Sequence, residues 1–267
     1  MRTAVLLIAL AGVAFGQAGK LSLSNPRAGY GLLGPTRADM KYLPGDSVYV
    51  LFDIEGVAVD STGKAQYSIG MEVADAKGKV LFKQEPRNLE AVNALGGNRL
   101  PAHAHLDIGM DQPPGDYSLK VTVVDRTSKS SQVLTRNLQV LPKGFGIVRL
   151  RLTPDSEGQI PAPPVGAVGE ALHVNCGVVG FERDKSKKQP HVTAELRVLD
   201  EGGKPTLPKP FQGVINQDVP EKASAVPVQF LLPLNRPGKF TIELKATDQL
   251  SKKSAQLAFP FTVVEAK

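Results

Sequence analysis

A repeat governs what this chain can fold into. The run Pro114-Gly115-Asp116-Tyr117-Ser118-Leu119-Lys120-Val121-Thr122-Val123-Val124-Asp125 returns as Pro237-Gly238-Lys239-Phe240-Thr241-Ile242-Glu243-Leu244-Lys245-Ala246-Thr247-Asp248, at a constant offset of 123. Each run leads into a Ser-Lys pair (Ser128-Lys129, Ser251-Lys252). Alternating tails follow, in which Leu134, Leu138 and Val140 match Leu257, Phe261 and Val263. Upstream, Gly45 to Gly56 matches Gly169 to Gly180 at offset 124, and Met71 to Asp75 matches Leu196 to Asp200 at offset 125. Self-similarity of this kind marks a duplicated structural unit whose loops have drifted in length. The phrase Gly29-Tyr30-Gly31-Leu32-Leu33 pairs with Gly144-Phe145-Gly146-Ile147-Val148 at offset 115, which implies a Pro-rich insertion, Asp155 to Gly166, in the second copy. The copies then span 27–141 and 144–265. Their joint, Pro142-Lys143, is short enough to predict two units set end to end with limited freedom.

Within each copy the hydrophobic period is two, as in strands. Val48, Val50, Phe52 and Ile54 share one face, and the second copy repeats the pattern as Leu172, Val174, Cys176 and Val178. Tyr117, Leu119, Val121 and Val123 alternate with Ser118, Lys120 and Thr122 in the same way. Turn signals separate the segments: Asp60-Ser61-Thr62-Gly63, Ala76-Lys77-Gly78, Glu201-Gly202-Gly203, Asn235-Arg236-Pro237-Gly238. Residues 87–95 are the one stretch that reads as a helical turn or a long loop. Several short strands in a unit of this length predict an all-β fold of two tandem antiparallel β-sandwiches.

The tail Pro-Gly-x-(Tyr/Phe)-x-(Leu/Ile)-x-(Val/Leu)-x-(Val/Ala)-x-x-Asp resembles the penultimate strand of bacterial immunoglobulin-like and fibronectin-III-like modules. The resemblance covers both copies and implies a fold, with no functional residue attached. Antibody-type domains pair two cysteines around a core tryptophan; this chain has one cysteine and no tryptophan.

Residues 1–18 read differently. Met1-Arg2, the apolar stretch Ala4 to Phe15 and the small residues after it form the pattern of a signal peptide. Twelve apolar residues are too few to span a hydrocarbon core of about 30 Å. The expectation is an exported protein, periplasmic, cell-surface or extracellular, with no membrane span in the mature chain. At 42% hydrophobic and 22% charged residues, the chain can bury two cores and is not a disordered polymer. A single cysteine excludes an internal disulfide and a Cys-rich metal cluster.

Few residues suggest chemistry. On a strand, His103, His105 and Asp107 share one face opposite Ala104, Leu106, Ile108 and Met110. Two imidazoles and a carboxylate could ligate zinc or copper; the simpler reading is a polar outer face. The second copy carries Pro227, Gln229 and Leu231 there, so its apolar face is repeated and the histidines are not. Cys176 stands where the first copy has Phe52, which predicts a packed thiol, and His173 projects from the opposite face. Arg183, Lys185, Lys187 and Lys188 form a basic loop that could touch a polyanion or simply stay solvated. Tyr30, Tyr42, Tyr49 and Tyr67 gather in the first half of copy one and could make a small aromatic platform. Asp75, Asp125, Asp200 and Asp248 recur at strand ends, where turn capping explains them and calcium bridging is the sharper alternative.

These residues predict a non-enzymatic binding or scaffold protein of the cell envelope or extracellular space, with no cofactor. Its expected partner is a protein or an envelope polymer and not nucleic acid, since no aromatic residues interleave the basic ones. Two alternatives stand beside it. One is a periplasmic chaperone-like accessory protein that adds a client strand, since two-sandwich pilus chaperones are similar in size and basicity. The other is a carbohydrate- or polyanion-binding module.

Overall fold

The computed structural model describes residues 20–266, so the expected signal peptide lies outside the described residues. Every regular element within them is a β-strand. The first unit contains β1 (Ser22–Gly29), β2 (Lys41–Tyr42), β3 (Ser47–Glu55), β4 (Lys64–Asp75), β5 (Val80–Val92), β6 (Arg99–Asp107), β7 (Gly115–Asp125) and β8 (Ser131–Val140). The second contains β9 (Gly146–Thr153), β10 (Val165–Ala167), β11 (Ala171–Val179), β12 (Val192–Leu199), β13 (Phe211–Ile215), β14 (Ala225–Pro233), β15 (Gly238–Asp248) and β16 (Ser254–Val264).

Each unit is a sandwich of a three-stranded and a five-stranded sheet. The orders are β1-β3-β6 over β2-β8-β7-β4-β5, and β9-β11-β14 over β10-β16-β15-β12-β13. All pairings are antiparallel except β2 with β8 and β10 with β16, where a short strand lies parallel to the last strand of its unit. This is an immunoglobulin-like and fibronectin-III-like arrangement, built twice. Two separate cores fill the sandwiches. Val48, Val50, Phe52, Ile54, Leu119, Val121 and Val123 belong to the first, and Val174, Cys176, Val178, Ile242, Leu244 and Ala246 to the second. Burying each such Val, Leu, Ile or Phe contributes about 1.5–3 kcal/mol.

The backbone sharpens the repeat. Positive φ recurs at Asn25 and Arg149, Gly45 and Gly169, Gly56 and Gly180, and Lys129 and Lys252. Asn25 and Arg149 each lie in a bulge, where two residues of β1 or β9 face one of the central strand. β1 therefore corresponds to β9 in the repeat, at offset 124, which corrects the Gly29/Gly144 match. The connections after them, residues 30–46 and residues 154–170, are of equal length, so Asp155 to Gly166 is not an insertion. The first unit begins at β1, ahead of residue 27. Residues 87–92 are strand, not helix, because they complete the β5 edge along β4. The β6 register also shifts one expectation. His103, His105 and Asp107 correspond to Gln229, Leu231 and Pro233, since β3 and β11 pair them with equivalent partners.

The joint leaves little room. At Gly180 φ is +69°, and a Cβ there would collide with the Gly144 carbonyl, so the chain entering β9 passes directly over the end of β11.

Candidate functional site

The two sandwiches meet along the connection between β1 and β3 on one side and β9 on the other. Bulging frees the Arg149 N–H from the β9–β11 ladder. It donates instead to Oδ1 of Asp46, at 2.8 Å, across the unit boundary. Asp46 is 3% exposed and also accepts from the Ser47 N–H at 2.9 Å. Its second oxygen takes a 2.8 Å bond from Nη1 of Arg37. The Arg37 guanidinium also donates to the Lys41 carbonyl and lies over the rings of Tyr30 (4.9 Å) and Tyr42 (4.2 Å). Burial pushes the Tyr42 hydroxyl up to about 12, so it stays neutral beside this charge pair. Tyr30, from the first unit, packs against the core of the second.

None of this latch is repeated. Arg37, Tyr42 and Asp46 correspond to Pro161, Gly166 and Glu170, and Glu170 accepts from the Ala167 N–H in its own turn. The bulge residue of the first unit is held internally: Asn25 donates to Asp53, which Arg99 also binds.

Beside the latch runs a cleft with two adjoining cavities of about 160 and 280 Å³. The first unit supplies Tyr30, Tyr49, His103, His105 and Asp107; the second supplies Arg149 and Arg151. The sequence had brought the two histidines and Asp107 together, and the structure keeps them on one face. No group of three His, Cys, Asp or Glu side chains comes together in ligating position among the described residues. His105 instead stacks on Tyr49, with centroids 4.3 Å apart and planes 21° from parallel. Its Nε2 lies 3.3 Å from Oδ1 of Asp107, which also accepts from Ser47 Oγ at 2.6 Å. Burial, then the neighbouring His105, pushes the His103 imidazole down toward the neutral form.

The other sequence candidates lie elsewhere. Arg183 is structural: its guanidinium donates to the carbonyls of Lys188, Pro220 and Ala223 and lies over Phe181. Lys185, Lys187 and Lys188 are exposed on a turn capped by Asp184. Hydrogen bonds from the Lys187 N–H and from Ser186 bring the Asp184 carboxyl down to about 2. Cys176 is buried opposite Val228, and burial pushes its thiol up to about 12. The strand-end aspartates cap turns. Asp75 accepts from the N–H groups of Lys77 and Lys79, and Asp200 from those of Gly202 and Lys204. Sequence reasoning missed Arg37, Asp46, Arg149 and Arg151. The signal available was the tyrosine cluster, two of whose members, Tyr30 and Tyr42, flank Arg37.

No family model matches the chain, and no curated protein matches it. Among solved structures, a red sea bream transglutaminase aligns with 92% of this chain and 31% of its own length, at 9% identity and a TM-score of 0.27. The fibronectin(III)-like modules of Clostridium thermocellum CbhA align with 92% of this chain and 95% of theirs, at 13% identity and a TM-score of 0.24. No activity or ligand is carried over from either. Among the described residues no helix is long and apolar enough to cross a membrane.

Proposed function

We propose that this chain is an exported, non-enzymatic binding and scaffold protein of the cell envelope or extracellular space. In this reading, two immunoglobulin-like sandwiches act as one rigid body. The observation that carries it is the Asp46–Arg149 latch. A buried carboxylate, a buried arginine and two tyrosines serve to fix one sandwich on the next. Such an interface holds surfaces of both units in a constant relation, which is what a spacer or a bivalent binder needs. Export is supported by the apolar run Ala4 to Phe15. The partner is a protein or an envelope polymer.

The test is capture from envelope fractions by the immobilised mature chain, read by mass spectrometry, for wild type and Asp46→Ala. The proposal expects a partner that wild type retains and the variant loses while both sandwiches stay folded. Equal retention by both, or no retention above a blank surface, would overturn it.

One observation favours a second reading, addition of a client strand. β5 is a sheet edge with Val80, Leu81 and Phe82 exposed. Pro86 and the adjacent bulge interrupt that edge, which limits pairing to its first half. Loss of capture on Leu81→Lys, with the latch intact, would favour this reading over the first.

A further inference from the structure

We infer that the cleft between the sandwiches is a binding site for a small anionic ligand, one bearing a carboxylate, sulfate or phosphate group. Its cationic wall is formed by Arg149 and Arg151, which alternate along β9 and face the cleft from the second unit. Neither guanidinium makes a hydrogen bond or an ion pair within 4.0 Å among the described residues. The carboxylates in the lining are already engaged. Asp46 is shared by Arg37 and two backbone N–H groups, and Asp107 by Ser47 and His105. The cleft therefore offers two guanidinium forks that no protein carboxylate binds directly, although Asp107 lies near enough to Arg149 to feel its charge. Guanidinium forks match the planar oxygens of carboxylates and the tetrahedral oxygens of sulfate and phosphate.

The opposite wall is of another character. Tyr30, Tyr49, His103 and His105 line it from the first unit, with Tyr49 and His105 stacked on each other. They would receive the body of the ligand, while the arginines hold its charged group. Sites of this kind, with a few convergent polar groups in a concavity between domains, are where small ligands bind. The site needs both units in register, so it depends on the latch geometry but not on any scaffold role.

Calorimetric titration of the full chain tests the site directly. The probes are a heparin-derived disaccharide, glucuronate, inorganic phosphate and, as the neutral control, glucose. Saturable binding of at least one anion is expected, weakened about tenfold or more in Arg149→Gln/Arg151→Gln. Lys185→Gln/Lys187→Gln/Lys188→Gln should bind as wild type does, and unchanged thermal melting of both triple and double variants establishes that they fold. Preference for phosphate over the disaccharide and glucuronate supports the site and assigns its ligand to the phosphate class; the reverse preference assigns it to acidic saccharides. No saturable anion binding, undiminished binding by the arginine variant, or equal binding of glucose would overturn the inference.

Discussion

The backbone N–H of Arg149, in the second sandwich, donates to the carboxylate of Asp46, in the first, across 2.8 Å. A β-bulge supplies the free donor and a buried charge pair supplies the acceptor. The relationship depends on three local features that sequence similarity does not report: a positive φ at a non-glycine residue, a two-residue turn before β3, and an arginine nine residues away.

Removing the acceptor should unlock the molecule. In Asp46→Ala the Arg37 side chain, 11% exposed, keeps its charge and loses its buried counterion, with only the exposed Asp39 left 3.7 Å from Nε. Breaking a buried pair in this way costs about 3–5 kcal/mol. Differential scanning calorimetry should show the first sandwich melting earlier than in wild type. A melting temperature within a degree or so of wild type would mean that the pair contributes little.

Asp125 and Asp248 predict the acid limb of stability. Both are buried. Asp125 accepts from the N–H groups of Ala58, Thr127 and Ser128; Asp248 accepts from those of Glu182 and Leu250 and from the Ser251 hydroxyl. Burial alone would raise their carboxyls, but these donors outweigh it and hold both below the usual carboxylate range. A depressed folded value gives stability that is present above the unfolded value of about 3.9 and lost as pH falls through the folded one. Urea midpoints should therefore fall steeply below about pH 4. Asp125→Asn should lower stability at neutral pH by about 1–3 kcal/mol and flatten the acid slope. Because backbone donors occupy both oxygens, EDTA should leave the melting temperature unchanged.

Tyr117 offers a test of how the two copies diverged. Its hydroxyl donates to the Pro113 carbonyl at 2.7 Å and accepts from Gln112 Nε2 at 2.8 Å, tying the loop to the start of β7. The second copy has Phe240 there, without a hydroxyl. Tyr117→Phe should cost the first sandwich about 1 kcal/mol by urea denaturation. No change would show that the loop is held by packing alone.

Cys176 should resist thiol reagents until the second sandwich unfolds. Its thiol is buried and pushed up to about 12, so almost no thiolate is available at neutral pH. Fast labelling of the native protein would contradict that placement.

The strands were legible because alternation is a local signal. The period-two sets in Ser47–Glu55 and Gly115–Asp125 lie on the faces that the sequence assigns them. Leu51 and Asp53 are the exceptions. They face away from the core, yet they are buried, Asp53 beneath the hydrogen bonds it takes from Asn25 and Arg99. The β1–β9 correspondence was misread because a glycine-rich phrase looked alike, whereas the conserved feature is backbone geometry at Asn25 and Arg149. His103, His105 and Asp107 were legible as a shared face. Their surroundings were not, because the residues opposite them, Arg149 and Arg151, come from the other copy, and only the tertiary arrangement brings those walls together.

Residual dipolar couplings of the full chain, measured separately for residues of each sandwich, test the central claim most directly. A single alignment tensor should fit both sandwiches in wild type, and two different tensors should be needed in Asp46→Ala. Two tensors already in wild type would contradict a latched pair.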